Sequence, residues 1–179
     1  SDDRSAIQAP LARRDNAGEQ TEMVQISLDT FRDRRTAYTF GVSASGVRFD
    51  RYHPADQQDN GDSGFDPVWE AKARIDTDGW TAELWIPFSQ LRFNERDEQV
   101  WGLNVRRFTP TRDEEVYWVL IPRTERAWAS RFGELRGVAG VHSTRRIELL
   151  PVVVGSARLS AHPDTANPLD DGRRLSRRV

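Results

Sequence analysis

The stretch that most constrains this chain is the alternation that runs from Trp69 to Ile86. Trp69, Ala71, Ala73 and Ile75 are apolar, and Glu70, Lys72, Arg74 and Asp76 between them are charged. That period of two is the pattern of a strand buried on one face and wet on the other. The return arm repeats it, with Trp80, Ala82, Leu84 and Ile86 apolar and Thr81 and Glu83 polar. Between the arms sits Asp78-Gly79, both of whose positions accept positive φ, as a tight hairpin turn requires. A two-residue loop at that dipeptide pairs Ile75 with Ala82, Ala73 with Leu84 and Arg74 with Glu83. A four-residue loop keeps the same faces inward. Trp85 alone disobeys the pattern, as an aromatic ring on the polar face.

Other segments carry the same signature. Residues 21–29 alternate Val24, Ile26 and Leu28 with Gln25, Ser27 and Asp29. Residues 37–43 set Tyr38, Phe40 and Val42 on one face, and 47–52 return from the turn Ala44-Ser45-Gly46. Beyond the hairpin, residues 100–108 place Trp101, Leu103 and Val105 inward and Asn104 and Arg106 outward. Residues 115–121 are apolar on both faces, which predicts a central strand with Trp118 in the core. Residues 132–136 form a further short strand. Seven or eight short strands with turn residues between them and almost no helix predict an all-β chain, an antiparallel β-sandwich.

Composition narrows the function classes. The 179 residues hold no cysteine, so disulfides and thiol chemistry are excluded. Net charge is −2, which offers no bulk attraction to nucleic acid. There are 25 Arg and a single Lys, Lys72, a bias that coding composition alone explains. No run of 18 apolar residues predicts a transmembrane helix. The chain opens on Ser1-Asp2-Asp3 without Met and is read as a fragment of a longer protein.

Candidate sites follow from residue chemistry. No G-x-S-x-G motif or recognisable nucleophile–base pair occurs, and the acids lie in turns or alternate with bases, so no catalytic site is expected. The three His and Met23 are not brought together by any pattern that would ligate haem. The loop 53–66 is rich in oxygen donors, and Asp56, Asp59 and Asp62 are its candidate calcium ligands, although the spacing is not that of an EF-hand. A solvated loop is the alternative. Sugar rings stack on Trp or Tyr while Arg, Asn and carboxylates take the hydroxyls. Trp69, Trp80 and Trp101 point inward as core. Trp85 on the wet face and Trp128 in a basic loop are the candidate platforms, with Arg106 and Arg126 as polar partners. The alternatives are a covered Trp85 and a Trp128 that plugs one end of the sandwich.

Three segments carry a family resemblance. They are Val24–Phe40; Asp78–Phe93, with Ile86-Pro87-Phe88 at its centre; and Trp101–Arg107, with Trp101-Gly102-Leu103-Asn104. Together they resemble a bacterial family whose N-terminal domain is similar to the family 9 carbohydrate-binding modules and precedes an outer-membrane β-barrel. The resemblance covers nearly the whole chain. It implies a sandwich domain over residues 1–144, with one or more further strands ahead of Ser1 in related chains. It also implies a linker or first barrel segment over 145–179, where the run from Arg146 to Leu159 is long enough for a barrel strand but is broken by Pro151. An unpaired sheet edge left by absent strands would invite aggregation.

The implied function is non-catalytic binding of a carbohydrate, most simply a polysaccharide, by an exported protein that is periplasmic or outer-membrane associated, with its own barrel as partner and calcium as a possible loop brace. Two alternatives stand beside it. One is a structural or gating domain that docks on its barrel without binding sugar. The other is an accessory module of a glycoside-hydrolase system.

Overall fold

The computed structural model describes residues 7–16, 20–122, 124–142, 152 and 154, together with the backbone of 156–159 and 175–178. The chain divides into two compact units, Ser1–Arg145 and Arg146–Val179. Eight strands form the first: β1 (Met23–Asp29), β2 (Ala37–Ser43), β3 (Arg48–His53), β4 (Glu70–Asp76), β5 (Gly79–Trp85), β6 (Glu98–Thr109), β7 (Glu114–Tyr117) and β8 (Gly133–Ala139). In the second, β9 (Ser156–Leu159) pairs antiparallel with β10 (Leu175–Arg178). In the rest of the apolar run 145–159, Val152 and Val154 are described and both are exposed, while Pro151 lies outside the described residues.

The architecture is the all-β sandwich expected. One layer is a six-stranded antiparallel sheet in the order β3-β2-β1-β6-β7, with β8 also pairing β6. At 12 residues β6 is long enough to serve both neighbours on one side: its first half pairs β8 and its second half pairs β7. The other layer is the β4–β5 hairpin, which lays its apolar face on the sheet. Trp69 is fully buried there and meets Phe40 edge-on at 5.3 Å, while Ala71, Leu84 and Ile86 pack on the cluster of Leu28, Phe40 and Trp101.

The hairpin register differs from the sequence expectation by two positions. Ile75 pairs with Trp80, Ala73 with Ala82 and Arg74 with Thr81, so the loop is Thr77-Asp78. Gly79, at φ 138°, closes the ladder opposite Asp76, whose side chain accepts the Asp78 N–H at 3.0 Å. A slip of two preserves every inward face, which is why the alternation survives it.

The second correction is β7. It is a four-residue strand beside β6 with no partner strand on its other side among the described residues, and Trp118 is 58% exposed. Val116, Trp118 and Leu120 all stand out from the surface. Periodicity reports that a segment is apolar; it does not report that a neighbour covers it. At the opposite side of the sheet the edge of β3 is covered by the chain itself. Asp15 bonds the Arg48 carbonyl and the Asp50 N–H, and Asp62 exchanges both backbone bonds with Tyr52. Arg14, from the same N-terminal segment, reaches the buried Asp50 at 2.6 Å, where Asp50 also accepts from Trp69 Nε1 at 2.9 Å. Burial outweighs these two partners and raises the Asp50 carboxyl above its ordinary range.

A polar cleft on the second face of the sheet

Strand alternation gives the sheet a second face, and its residues are polar. Register places Phe49, Gly41, Gln25, Arg106 and Tyr117 in one row across five strands. The next row holds Arg51, Thr39, Ser27 and Asn104. Over these rows lies a cleft of about 1380 Å³, lined also by residues 57–61, 120–122 and 125–128. Its volume exceeds the roughly 300–1,000 Å³ of a pocket for one small molecule.

The floor is built from satisfied polar groups. Ser27 Oγ and Thr39 Oγ1 lie 2.9 Å apart, and Thr39 Oγ1 lies 3.1 Å from His53 Nε2. His53 Nδ1 faces the Gln57 carbonyl at 3.3 Å, so Nδ1 carries the proton and Nε2 accepts from Thr39, which in turn accepts from Ser27. Burial pushes the His53 pKa down to about 4, which keeps the ring neutral in this chain of bonds. Asn104 donates to the Val119 carbonyl and accepts the Val119 N–H, fixing the strand end after β7. Gly41 is required by the floor: a Cβ there would lie 2.0 Å from the Phe49 ring, which rests on it.

The wall of the cleft at β7 is charged. Arg106 is ion-paired with Glu115, reaches toward Gln25 Oε1 at 3.5 Å and stacks 5.6 Å above Phe108. Its Nε is buried and has no hydrogen-bond partner. The Tyr117 hydroxyl donates to Glu115 at 2.9 Å, and burial raises its pKa, so it stays protonated.

The sequence-predicted residues separate into three groups. Arg106 and Arg126 both line the cleft, and so does Asp59. Trp85 is 63% exposed but projects from the outer face of the hairpin, in the other layer of the sandwich. Trp128 is not an open platform. It is 3% exposed, tilted against His53 at 4.3 Å and edge-on to Phe132 at 4.9 Å, and it plugs one end of the cleft. Asp56 holds it there, accepting from the backbone of Trp128 (2.8 Å) and Ser130 (3.0 Å) and from Ser130 Oγ (2.6 Å). Burial acts to raise the Asp56 pKa, but these bonds hold it below the usual carboxylate range. Asp62 instead bonds Tyr52 and the Gly64 N–H. The three candidate calcium ligands thus do different jobs, and among the described residues no three His or acidic side chains converge on one point.

Phe49 and Tyr117 were missed as site residues. The strand pairing that puts them in one row is not legible in the sequence, and neither residue follows an alternation that marks it as outward-facing. No family model matches the chain, and neither the curated proteins nor the solved structures hold a match to it.

Proposed function

We propose that this chain is a non-catalytic carbohydrate-binding domain whose ligand lies in the cleft of the six-stranded sheet. The observation that carries the reading is the cleft itself: about 1380 Å³ lined by Gln25, Arg106 and Tyr117 beside the Phe49 ring. Hydroxyl-rich ligands suit such a surface, because amide, guanidinium and phenol groups exchange hydrogen bonds with hydroxyls while a ring supplies an apolar face. The resemblance to the family 9-like domains favours an exported protein whose partner is its own outer-membrane barrel, with calcium as a loop brace. The accessory role in a glycoside-hydrolase system is the same binding chemistry in another setting.

Isothermal titration with linear cello-, xylo-, manno-, malto- and laminari-hexaoses, with and without calcium, tests the reading. One of them is expected to bind, and Arg106→Ala to weaken it at least tenfold, as losing a charged hydrogen-bonding group does. No heat with any sugar would sink it.

The docking alternative has its own support. Val116 and Trp118 at the β7 edge, Val68 just ahead of the hairpin and Trp85 on it are exposed apolar groups that do not line the cleft. Such surface suits contact with another protein surface.

A further inference from the structure

Asn60-Gly61, on the loop between β3 and β4, is the one place in the chain where an asparagine precedes a glycine. Asn16 precedes Ala17, Asn94 precedes Glu95, Asn104 precedes Val105 and Asn167 precedes Pro168. The distinction is chemical. A backbone nitrogen can attack the side-chain carbonyl carbon of the preceding asparagine and close a cyclic imide. The residue that owns this nitrogen sets the access to it, and glycine has no Cβ to hinder the approach. Proline has no N–H and cannot react in this way.

The fold leaves this reaction open at Asn60. Asn60 is exposed, as are Gln57 and Asp59 near it. The Gly61 N–H donates no hydrogen bond among the described residues, so taking its proton breaks none. The bridge to Tyr52 begins one residue later, at the Asp62 N–H. A single bond opposes the attack: Asn60 Nδ2 donates to Gln57 Oε1 at 2.6 Å. Water competes for a bond between two exposed groups, so it restrains the side chain weakly. Asn104 is the contrast. It is buried, its amide is spent on both backbone groups of Val119, and the following N–H, that of Val105, is bonded to Asn104 Oδ1 at 3.0 Å. Packing also calls for the glycine after Asn60, since a Cβ on Gly61 would fall 2.8 Å from Arg51 Cδ and 2.9 Å from His53 Cε1.

We infer that Asn60 is a site of spontaneous covalent modification, at which the Gly61 nitrogen displaces the side-chain amide and leaves a carboxylate on the loop that lines the cleft. The Gly61 N–H gives its proton to solvent, and the bond from its nitrogen to Asn60 Cγ forms. The bond from Cγ to Nδ2 breaks, and Nδ2 takes up a proton and leaves as ammonia. Water then opens the imide at either carbonyl, giving aspartate or isoaspartate, with no oxidation or reduction. Each conversion adds a negative charge beside the cleft. In the isoaspartate product the main chain also runs through the former side-chain carbon. The lengthened stretch lies between two fixed points, the Asp56 contacts with Trp128 and Ser130 and the Tyr52–Asp62 bridge. The reaction is the same whatever the cleft binds.

Peptide mass spectrometry on the folded whole chain, held at mildly alkaline pH and sampled over time, tests this. Asn60 is expected to convert about tenfold or more faster than the exposed Asn16 and Asn94, because its attacking nitrogen alone belongs to a residue without a Cβ. Both aspartate and isoaspartate are expected at the position. No conversion at Asn60, or conversion no faster than at Asn16 and Asn94, overturns the site. In Asn60→Gln the longer side chain would have to close a larger ring. The acidic species that isoelectric focusing resolves in aged wild type is therefore expected to vanish, and its persistence in equal amount would overturn the assignment to Asn60. Gln57→Ala is expected to speed the conversion roughly two- to fivefold, as loss of one weak hydrogen bond would give. An unchanged rate overturns the restraint assigned to Gln57.

Discussion

The two faces of the six-stranded sheet are opposite in chemistry. One face carries Leu28, Phe40 and Trp101 under the hairpin, and its contacts are non-directional and dry. The other carries Ser27, Thr39, His53 and Asn104, each buried and each hydrogen-bonded. Burying a polar group gains little even when it is satisfied and costs much when it is not. The first face therefore supplies the stability, and the second spends some of it to keep a polar floor. That division underlies the assignment of ligand binding to the second face and not to the exposed Trp85.

Substitutions can break this comparison, and the apolar face should give the largest effect. Phe40→Ala or Trp69→Ala is expected to cost about 3–5 kcal/mol, read from the urea midpoint, because each empties a fully buried ring site. A loss under about 1 kcal/mol would mean that the hairpin is not the second layer of the core.

The polar face should show itself through pH. His53 in the folded chain titrates near 4, below its ordinary 6.5. Its folded pKa is depressed, so the unfolded chain binds the proton more readily. Its contribution is complete above about pH 6.5 and is lost as pH falls from 6.5 to 4. The loss is on the order of 3 kcal/mol. Stability measured across that window should fall in the wild type and flatten in His53→Gln. A flat wild-type profile would contradict the buried, neutral ring. Asp56 acts lower on the scale: its depressed pKa gives stability that is present above about pH 4 and lost below it.

Removing the Asp56 side chain is a smaller perturbation. Asp56→Ala leaves the Trp128 and Ser130 donors unpaired, and is expected to cost about 1–3 kcal/mol with faster amide exchange over 127–132. Asp56→Asn should recover part of it through its remaining carbonyl. The smallest effect belongs to the hairpin's outer face. Trp85→Ser should shift stability by no more than about 0.5 kcal/mol and leave cleft affinity as it was. A Trp85 variant that lost sugar binding would move the site to the other layer.

Much of the fold was legible because alternation survives small errors. Most strands of the first unit, the inward faces of the hairpin and the burial of Trp69 and Trp101 were readable from period two, whereas the strand at 175–178 was not. The two-position slip at Thr77-Asp78 cost nothing, since the faces repeat at that interval. The error at β7 has a physical source: Val116, Trp118 and Leu120 have the composition of a central strand, but whether another strand lies alongside is a property of topology. The site was less legible for the same reason. Arg106 was readable as outward-facing, but nothing local shows that Phe49 and Tyr117 share its row across the sheet. Trp128 misled because a loop position flanked by Arg suggests an exposed ring. Its burial depends on Asp56, 72 residues away in sequence.

The most direct test locates the ligand on the molecule. Amide exchange with and without a bound linear oligosaccharide, at saturating concentration, reads protection along the whole chain. Protection is predicted in 23–27, 49–53, 57–61 and 104–107, the strands and loop of the polar face, with residues 80–86 unchanged. Protection confined to 80–88 around Trp85, with the cleft strands unaffected, would contradict the assignment of binding to the polar face.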